Sequence, residues 1–204
     1  YAICGCKSAA QDDSLTISEF LLRQSKAIEV TAVPNDTIIN NECVFVLPKR
    51  NNDTLISILR EQMIKSNEQL YKYCEDNCEI STEYDVKSYV PSAFVSVLQS
   101  EYYNCSSMPS YSISSTTWNF VLYKGDIYKV EITSNTETNQ YIDSLVKLKF
   151  ESECIENGSL NDDLDLFISS GSFYINNPLH SKVCDEPMNI PVITDKLSFT
   201  KINR

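Results

Sequence analysis

Glycine is scarce in this chain, with four residues in 204, and histidine is scarcer, with one. So few glycines argue against Gly-rich phosphate-cradling loops, and they leave turns of positive φ largely to Asn and Asp. The single histidine, His180, forces any Ser-His-Asp or Cys-His machinery through one loop-like stretch, residues 177–181. No G-x-S-x-G nucleophile motif accompanies it. Basic charge is also short: 17 Lys and Arg stand against 28 Asp and Glu, for a net charge of −11. That balance disfavours nucleic acid and anionic membrane surfaces and is compatible with a basic protein partner. A general solubilising charge is the plainer and favoured reading. No apolar run reaches the roughly 18 residues a membrane span requires, so no membrane insertion by this segment is expected. The first residues carry neither a basic n-region nor a long apolar h-region. A precursor whose signal peptide has been cleaved near residue 1, or an ectodomain, would read this way.

Cysteine and glycosylation signals are present in quantity. The eight cysteines are Cys4, Cys6, Cys43, Cys74, Cys78, Cys105, Cys154 and Cys184. N-glycosylation sequons begin at Asn35, Asn52, Asn104 and Asn157, each beside an expected turn or element end. An even cysteine count spread over the chain is what oxidative cross-linking leaves, and sequons are used only in the secretory path. Together they predict a secreted or extracellular, disulfide-bonded glycoprotein. Connectivity is not legible, because eight cysteines allow 105 pairings.

The spacing predicts a helix from a capping box at Thr16 and Glu19, with Leu15 and Phe20 as its staple and Ile17, Leu21, Ala27 and Ile28 on its stripe. Residues 30–33 read extended, and Pro34-Asn-Asp reads as a turn. Cys43 to Leu47 is a short buried strand ending at Pro48. Asp53 caps a second helix reaching Cys74, with Ile56, Leu59, Met63 and Leu70 at helical spacing. Residues 75–85 are acidic and contain no basic residue. Pro91 suits the first turn of a third helix, with Phe94, Val97, Leu98 and Tyr102 as its stripe and an end near Cys105. Residues 106–117 read as a loop. An antiparallel three-strand meander follows: residues 118–123, a turn at Lys124-Gly-Asp126, residues 128–132, and a third strand through Ile142, Val146, Leu148 and Phe150. Cys154 shares the parity of Phe150. Further strands are expected around Gly171, at residues 190–193 and at residues 197–202. The expected fold class is α+β, with two or three helices packed on an antiparallel sheet with a long three-strand meander, in one disulfide-stabilised domain over residues 1–204. The order resembles, in outline only, cystatin-like or NTF2-like folds, which implies nothing about function.

Several constellations carry a sharp and a plain reading. Cys4-x-Cys6 and Cys74-x3-Cys78 could form a four-cysteine zinc site, but separate disulfides are favoured. Three residues precede Cys4, so the amine-and-cysteine zinc grip of metalloproteinase inhibitors does not form as written. Asp162, Asp163 and Asp165 could face a basic partner or Ca²⁺, yet they lack the EF-hand order and its glycine. A solvated acidic loop is the plainer reading. His180 is read as a surface residue. Val121 and Tyr123, on the outer side of the meander, are the nearest candidate for a sugar-free aromatic surface. No metal or cofactor is expected. The expected function is protein–protein recognition outside the cell, with a receptor, a basic cytokine-like ligand or another surface protein as candidate partner, a role that fits a parasite or viral immune modulator. The alternatives are a secreted hydrolase working through carboxylates or His180, and a protease inhibitor of cystatin-like shape.

Overall fold

The computed structural model describes residues 9–26, 33–40, 42–74, 78–105, 112–149, 158–160, 164–176, 179–181 and 189–203. Helix α1 spans Ala9–Ser25. Strands β1 (Asn35–Asn40) and β2 (Cys43–Pro48) precede α2 (Thr54–Cys74). Then come β3 (Cys78–Val90), β4 (Phe94–Cys105), β5 (Ser112–Tyr123), β6 (Asp126–Ile132) and α3 (Thr136–Lys149). The remaining strands are β7 (Gly158–Leu160), β8 (Asp165–Ser169), β9 (Ser172–Asn176), β10 (Leu179–Ser181), β11 (Asn189–Val192) and β12 (Leu197–Lys201).

Seven strands form one sheet in the order β1-β2-β3-β4-β5-β6-β12. Every neighbouring pair is antiparallel except β2 and β3, which run parallel with α2 as their crossover. A parallel step needs such a crossover because no tight turn can reverse the chain twice. The expected α+β class therefore holds, but the sheet has seven strands and is not built on a three-strand meander.

Alternation along the strands sorts the core onto two faces. Val95, Val97, Trp118, Phe120 and Ile127 face α2, which buries Leu55, Ile56, Leu59 and Met63 against them. Phe94, Val121 and Val130 take the other face, beneath α1, α3 and a small sheet of order β11-β9-β8. Each fully buried aromatic or aliphatic side chain there is worth roughly 1.5–3 kcal/mol of transfer free energy. A third cluster lies where Leu70 of α2 meets Phe45 and Ile80, and both described disulfides, Cys43–Cys74 and Cys78–Cys105, sit in it. This pairing removes Cys74 and Cys78 from any shared zinc site. Among the described residues no helix is long and apolar enough to cross a membrane.

Several local expectations are corrected. Thr16 and Glu19 lie inside α1 rather than at its start, because the helix-forming Ala9-Ala-Gln segment already opens it. The staple assigned to Leu15 therefore has no helix start to close, and Ala27 and Ile28 lie outside the described residues. Asn35 and Asp36 begin a strand instead of a turn, and the β-branched Thr37-Ile38-Ile39 extends it. Residues 91–105 are β4 and the turn before it, not a helix. Pro91 sits at the second position of a β-turn closed by the Ala93 N–H to the Val90 carbonyl (3.0 Å), and Ser92 at φ 57° gives the positive φ of a type II turn. The apolar run from Phe94 to Val97 is buried on both faces, so helical spacing could be read into a strand. Residues 112–117, read as loop, belong to β5. The third meander strand is α3: the Asn135 carboxamide oxygen accepts the Thr138 N–H (2.8 Å), and Thr138, Ile142 and Val146 recur every four residues on the buried side. Leu148 is exposed, and Phe150 lies outside the described residues.

Other expectations match. The β2 strand and the Asp53-capped α2 are present. So are the turn at Lys124 and Gly125, with φ 50° and 85°, and the β8–β9 hairpin around Gly171.

Candidate functional site

The small sheet and helices cover only part of one face of the large sheet. Ser88, Ser96 and Asn119 mark the covered zone. The Ser88 hydroxyl donates to the Ile168 carbonyl, and the Ile168 N–H donates to the Ser96 hydroxyl (2.9 Å). The Ser96 hydroxyl donates to Asn119 Oδ1 (2.7 Å), and Asn119 Nδ2 donates to the Leu166 carbonyl (2.7 Å). Side chains of the large sheet thereby satisfy the backbone of β8, as burial demands.

Beyond that zone no other layer among the described residues covers the sheet face. Along β3, Cys78, Ile80 and Thr82 are buried on the α2 side, while Glu79, Ser81, Glu83 and Asp85 alternate with them and are exposed. Register places Glu83 beside Ser100, Ser81 beside Tyr102 and Glu79 beside Asn104. Across the next strand, Tyr102 is beside Ile113. On the other flank Val44 is beside Ser81 and Ile39. The open face therefore carries one cross-strand row that runs from Ile39, 72% exposed, through Val44, Ser81 and a half-buried Tyr102 to Ile113, 61% exposed. Exposed apolar side chains gathered on one face mark recognition surfaces more often than scattered ones do.

Carboxylates surround this apolar centre. Tyr102 donates its hydroxyl to Glu83, and Asn104 Nδ2 donates to Glu79 (3.0 Å). Glu42, Glu79, Val44, Tyr102 and Asn104 line a shallow cavity of about 290 Å³. Lys87 lies 2.6 Å from Asp85 and neutralises that acid, leaving Glu42, Glu79 and Glu83 to set the sign of the face.

Rigid packing on the opposite side holds the face in place. Gln99 Nε2 donates to Asn67 of α2 (3.0 Å), and Gln99 Oε1 accepts the Trp118 indole N–H (2.9 Å). The buried Glu101 accepts hydroxyl protons from Tyr103 and Ser114. At the near end, Asp53 accepts the Tyr89 hydroxyl (3.0 Å), and burial first, then Asp53, pushes the Tyr89 phenol up to about 12. Tyr84 donates to the Val33 and Pro34 carbonyls and is also raised to about 12, by burial and then by Asp36.

The residues singled out from sequence fall differently. Val121 is fully buried under the small sheet, so it offers no surface: both faces of β5 are covered at that point. Tyr123 is half-buried, its ring 5.4 Å from Phe20 and its face under Lys124 at 4.9 Å. Asp165 is not a solvated loop acid. It begins β8, where it accepts the Ser115 hydroxyl (2.5 Å) and the Thr117 N–H (3.1 Å). Asp162, Asp163, Asn157, Cys4, Cys6, Cys154 and Cys184 lie outside the described residues, and His180 is placed by backbone only, opposite Ser159 in the β7–β10 pair. Asn35 and Asn52 are exposed at the β1–α2 corner, and Asn104 is exposed at the far rim of the open face. Sequence reasoning missed Glu42, Glu79, Glu83 and Ile113. The signal for two of them was there, in the period-two alternation of acid with buried residues through Cys78-Glu-Ile-Ser-Thr-Glu83. Among the described residues no cluster of His, Cys, Asp and Glu could hold a metal ion. No protein-family model matches the chain, and no curated protein matches it in sequence.

Proposed function

We propose that this protein is an extracellular glycoprotein that acts by recognising a protein partner, and that the partner presents a basic surface. The open face of the large sheet carries this reading: exposed Ile113 lies beside Tyr102, and exposed Ile39 ends the same cross-strand row on the edge strand, with Glu42, Glu79 and Glu83 on this face. An apolar centre with a charged surround is the anatomy of a binding patch, with the acids steering encounter and the apolar centre slowing release. The net charge of −11 adds a long-range field of the same sign. Two described disulfides and exposed sequon asparagines support the extracellular setting. Sugar at Asn104 would stand at the rim near Glu79, leaving Glu83, Tyr102 and Ile113 as the contact centre. No observation favours the hydrolase or inhibitor readings over this one.

The test is surface binding to a panel of basic secreted proteins at low and high salt. At least one should bind with a salt-sensitive on-rate. That rate should fall about tenfold or more in the Glu42→Lys, Glu79→Lys, Glu83→Lys triple variant. Binding indifferent to both salt and charge reversal would remove the reading.

A further inference from the structure

The sequon at Asn104 reads Asn104-Cys105-Ser106, and its central residue is one half of a disulfide. Cys105 is bonded to Cys78, their Cα atoms lie 4.1 Å apart, and both residues are buried. They face each other across β3 and β4 as the close, non-hydrogen-bonded kind of antiparallel pair. The adjoining pair, Glu79 and Asn104, is then the hydrogen-bonded kind, in which two residues exchange both backbone bonds. The parity agrees just before β4, where the Ala93 carbonyl accepts the Leu122 N–H (2.8 Å): odd-numbered residues turn toward β5 and even-numbered ones toward β3. The Asn104 side chain is tied as well, since its Nδ2 donates to Glu79 Oε2 (3.0 Å). Backbone, side chain and covalent neighbour thus all hold Asn104 against β3, although the residue is exposed.

N-glycosylation asks for the opposite state. The transferring enzyme takes the asparagine together with the hydroxyl residue two places on, so three successive residues must leave their neighbours at once. Hydrogen bonds at a strand end open by local fraying. A disulfide at the middle residue does not. The sequons at Asn35 and Asn52 differ at this point. Both asparagines are exposed, and their central residues are held reversibly, Asp36 by an ion pair with Arg60 (2.9 Å) and Asp53 by hydrogen bonds.

We infer that sugar reaches Asn104 only before the Cys78–Cys105 bridge closes, so that Asn104 is a redox-gated modification site whose occupancy records the order of two reactions. The inference rests on the extracellular glycoprotein reading. In one reaction, Asn104 Nδ2 bonds to the anomeric carbon of a lipid-diphosphate-linked oligosaccharide. That carbon's bond to the diphosphate breaks, and the lipid diphosphate and one amide proton leave. In the other, the Cys78 and Cys105 thiols form the S–S bond and pass two electrons and two protons to the disulfide of a thiol–disulfide oxidoreductase, which leaves as the dithiol. The fold keeps a sugar attached first, because Asn104 is exposed and its Nδ2 retains one N–H for Glu79. That sugar stands at the cavity which Glu42, Val44, Glu79 and Tyr102 share with Asn104, so the order of the reactions sets how much of the acidic face a partner meets.

The experiment expresses the full chain behind a cleavable secretion signal in a glycosylating eukaryotic cell. Glycopeptide mass spectrometry reads occupancy at each asparagine on the total cellular and secreted chain. In the parent, Asn104 should be bare in part or all of the chains. Cys78→Ser keeps the sequon and removes its bridge, and it should shift Asn104 toward full occupancy. A pulse of dithiothreitol during synthesis of the parent should do the same, and it decides the case in which Cys78→Ser misfolds or Cys105 finds another thiol. Cys43→Ser with Cys74→Ser opens the other bridge, leaves Cys105 tied and should leave Asn104 as in the parent. Full occupancy of Asn104 in the parent would overturn the gate, as would a bare fraction that neither Cys78→Ser nor reductant reduces. An equal rise in the Cys43→Ser, Cys74→Ser variant would also overturn it, by tracing occupancy to slow folding in general. In each of these outcomes, sugar at Asn35 or Asn52 leaves the glycoprotein reading standing. Sugar at none of the asparagines in any arm refutes that reading and the gate with it.

Discussion

Asp53 is the residue whose loss should be felt over the longest distance. Its Oδ1 accepts the Leu55 N–H (2.7 Å) at the start of α2, and its Oδ2 accepts both the Ser92 N–H (2.7 Å) and the Tyr89 hydroxyl (3.0 Å). One carboxylate therefore caps the helix and pins the β3–β4 turn, which holds Ser92 at positive φ. Asp53→Ala removes a helix cap worth about 1 kcal/mol. It also removes two hydrogen bonds to a charged acceptor, the part-buried one from Tyr89 worth about 1.5 kcal/mol and the exposed one from Ser92 about 1 kcal/mol. The expected loss is about 3–4 kcal/mol, a large share of a typical 5–15 kcal/mol stability. Asp53→Asn keeps the Oδ1 acceptor but puts an N–H₂ against the Ser92 N–H, so it should cost about half as much. Urea unfolding of unglycosylated protein measures both. Tyrosinate absorbance gives an independent reading. Tyr89 should begin to ionise below its parent value of about 12 in Asp53→Ala, because the second-largest cause of its elevation is gone while burial remains. The sign for stability follows. With the phenol raised in the folded state, parent stability holds below pH 10, the ordinary tyrosine value, and falls as pH rises toward 12. The Tyr89 share of that alkaline loss should shrink in Asp53→Ala. A cost below about 0.5 kcal/mol for both variants, the scale of ordinary surface substitutions, with Tyr89 ionisation unchanged, would refute the junction.

Two further outcomes follow from the core. The Cys78–Cys105 and Cys43–Cys74 bridges close separations of 27 and 31 residues. Chain-entropy arithmetic assigns each about 3.5 kcal/mol, so Cys78→Ser with Cys105→Ser should lower the urea midpoint sharply, and an unchanged midpoint would contradict the pairing. Gln99→Leu should cost about 2 kcal/mol by leaving the buried Trp118 N–H and Asn67 carboxamide without their partner. Thermal unfolding indistinguishable from the parent would show that the network does not hold α2 on the sheet.

Local chemistry with a single meaning was legible in the residues. Asp53 ahead of an apolar stripe marked α2, Lys124-Gly125 marked the hairpin turn, and strands were legible around Gly171. Cysteine number and sequons pointed to disulfides, and two are formed. The tertiary structure decided whatever depended on neighbours. Residues 94–97 are buried on both faces because α2 lies on one side and the small sheet on the other, and a doubly buried strand shows no period that separates it from a helix. Residues 142–148 can be read with a period of two or of four, and Asn135 and the buried side of α3 select four. Val121 could be placed on the outer face of a three-strand meander only while the layer above it was unknown. The acidic face brings together residues from distant segments, and only strand register places Glu79, Glu83 and Ile113 on one surface, because register is a property of pairing between strands and no single strand encodes it.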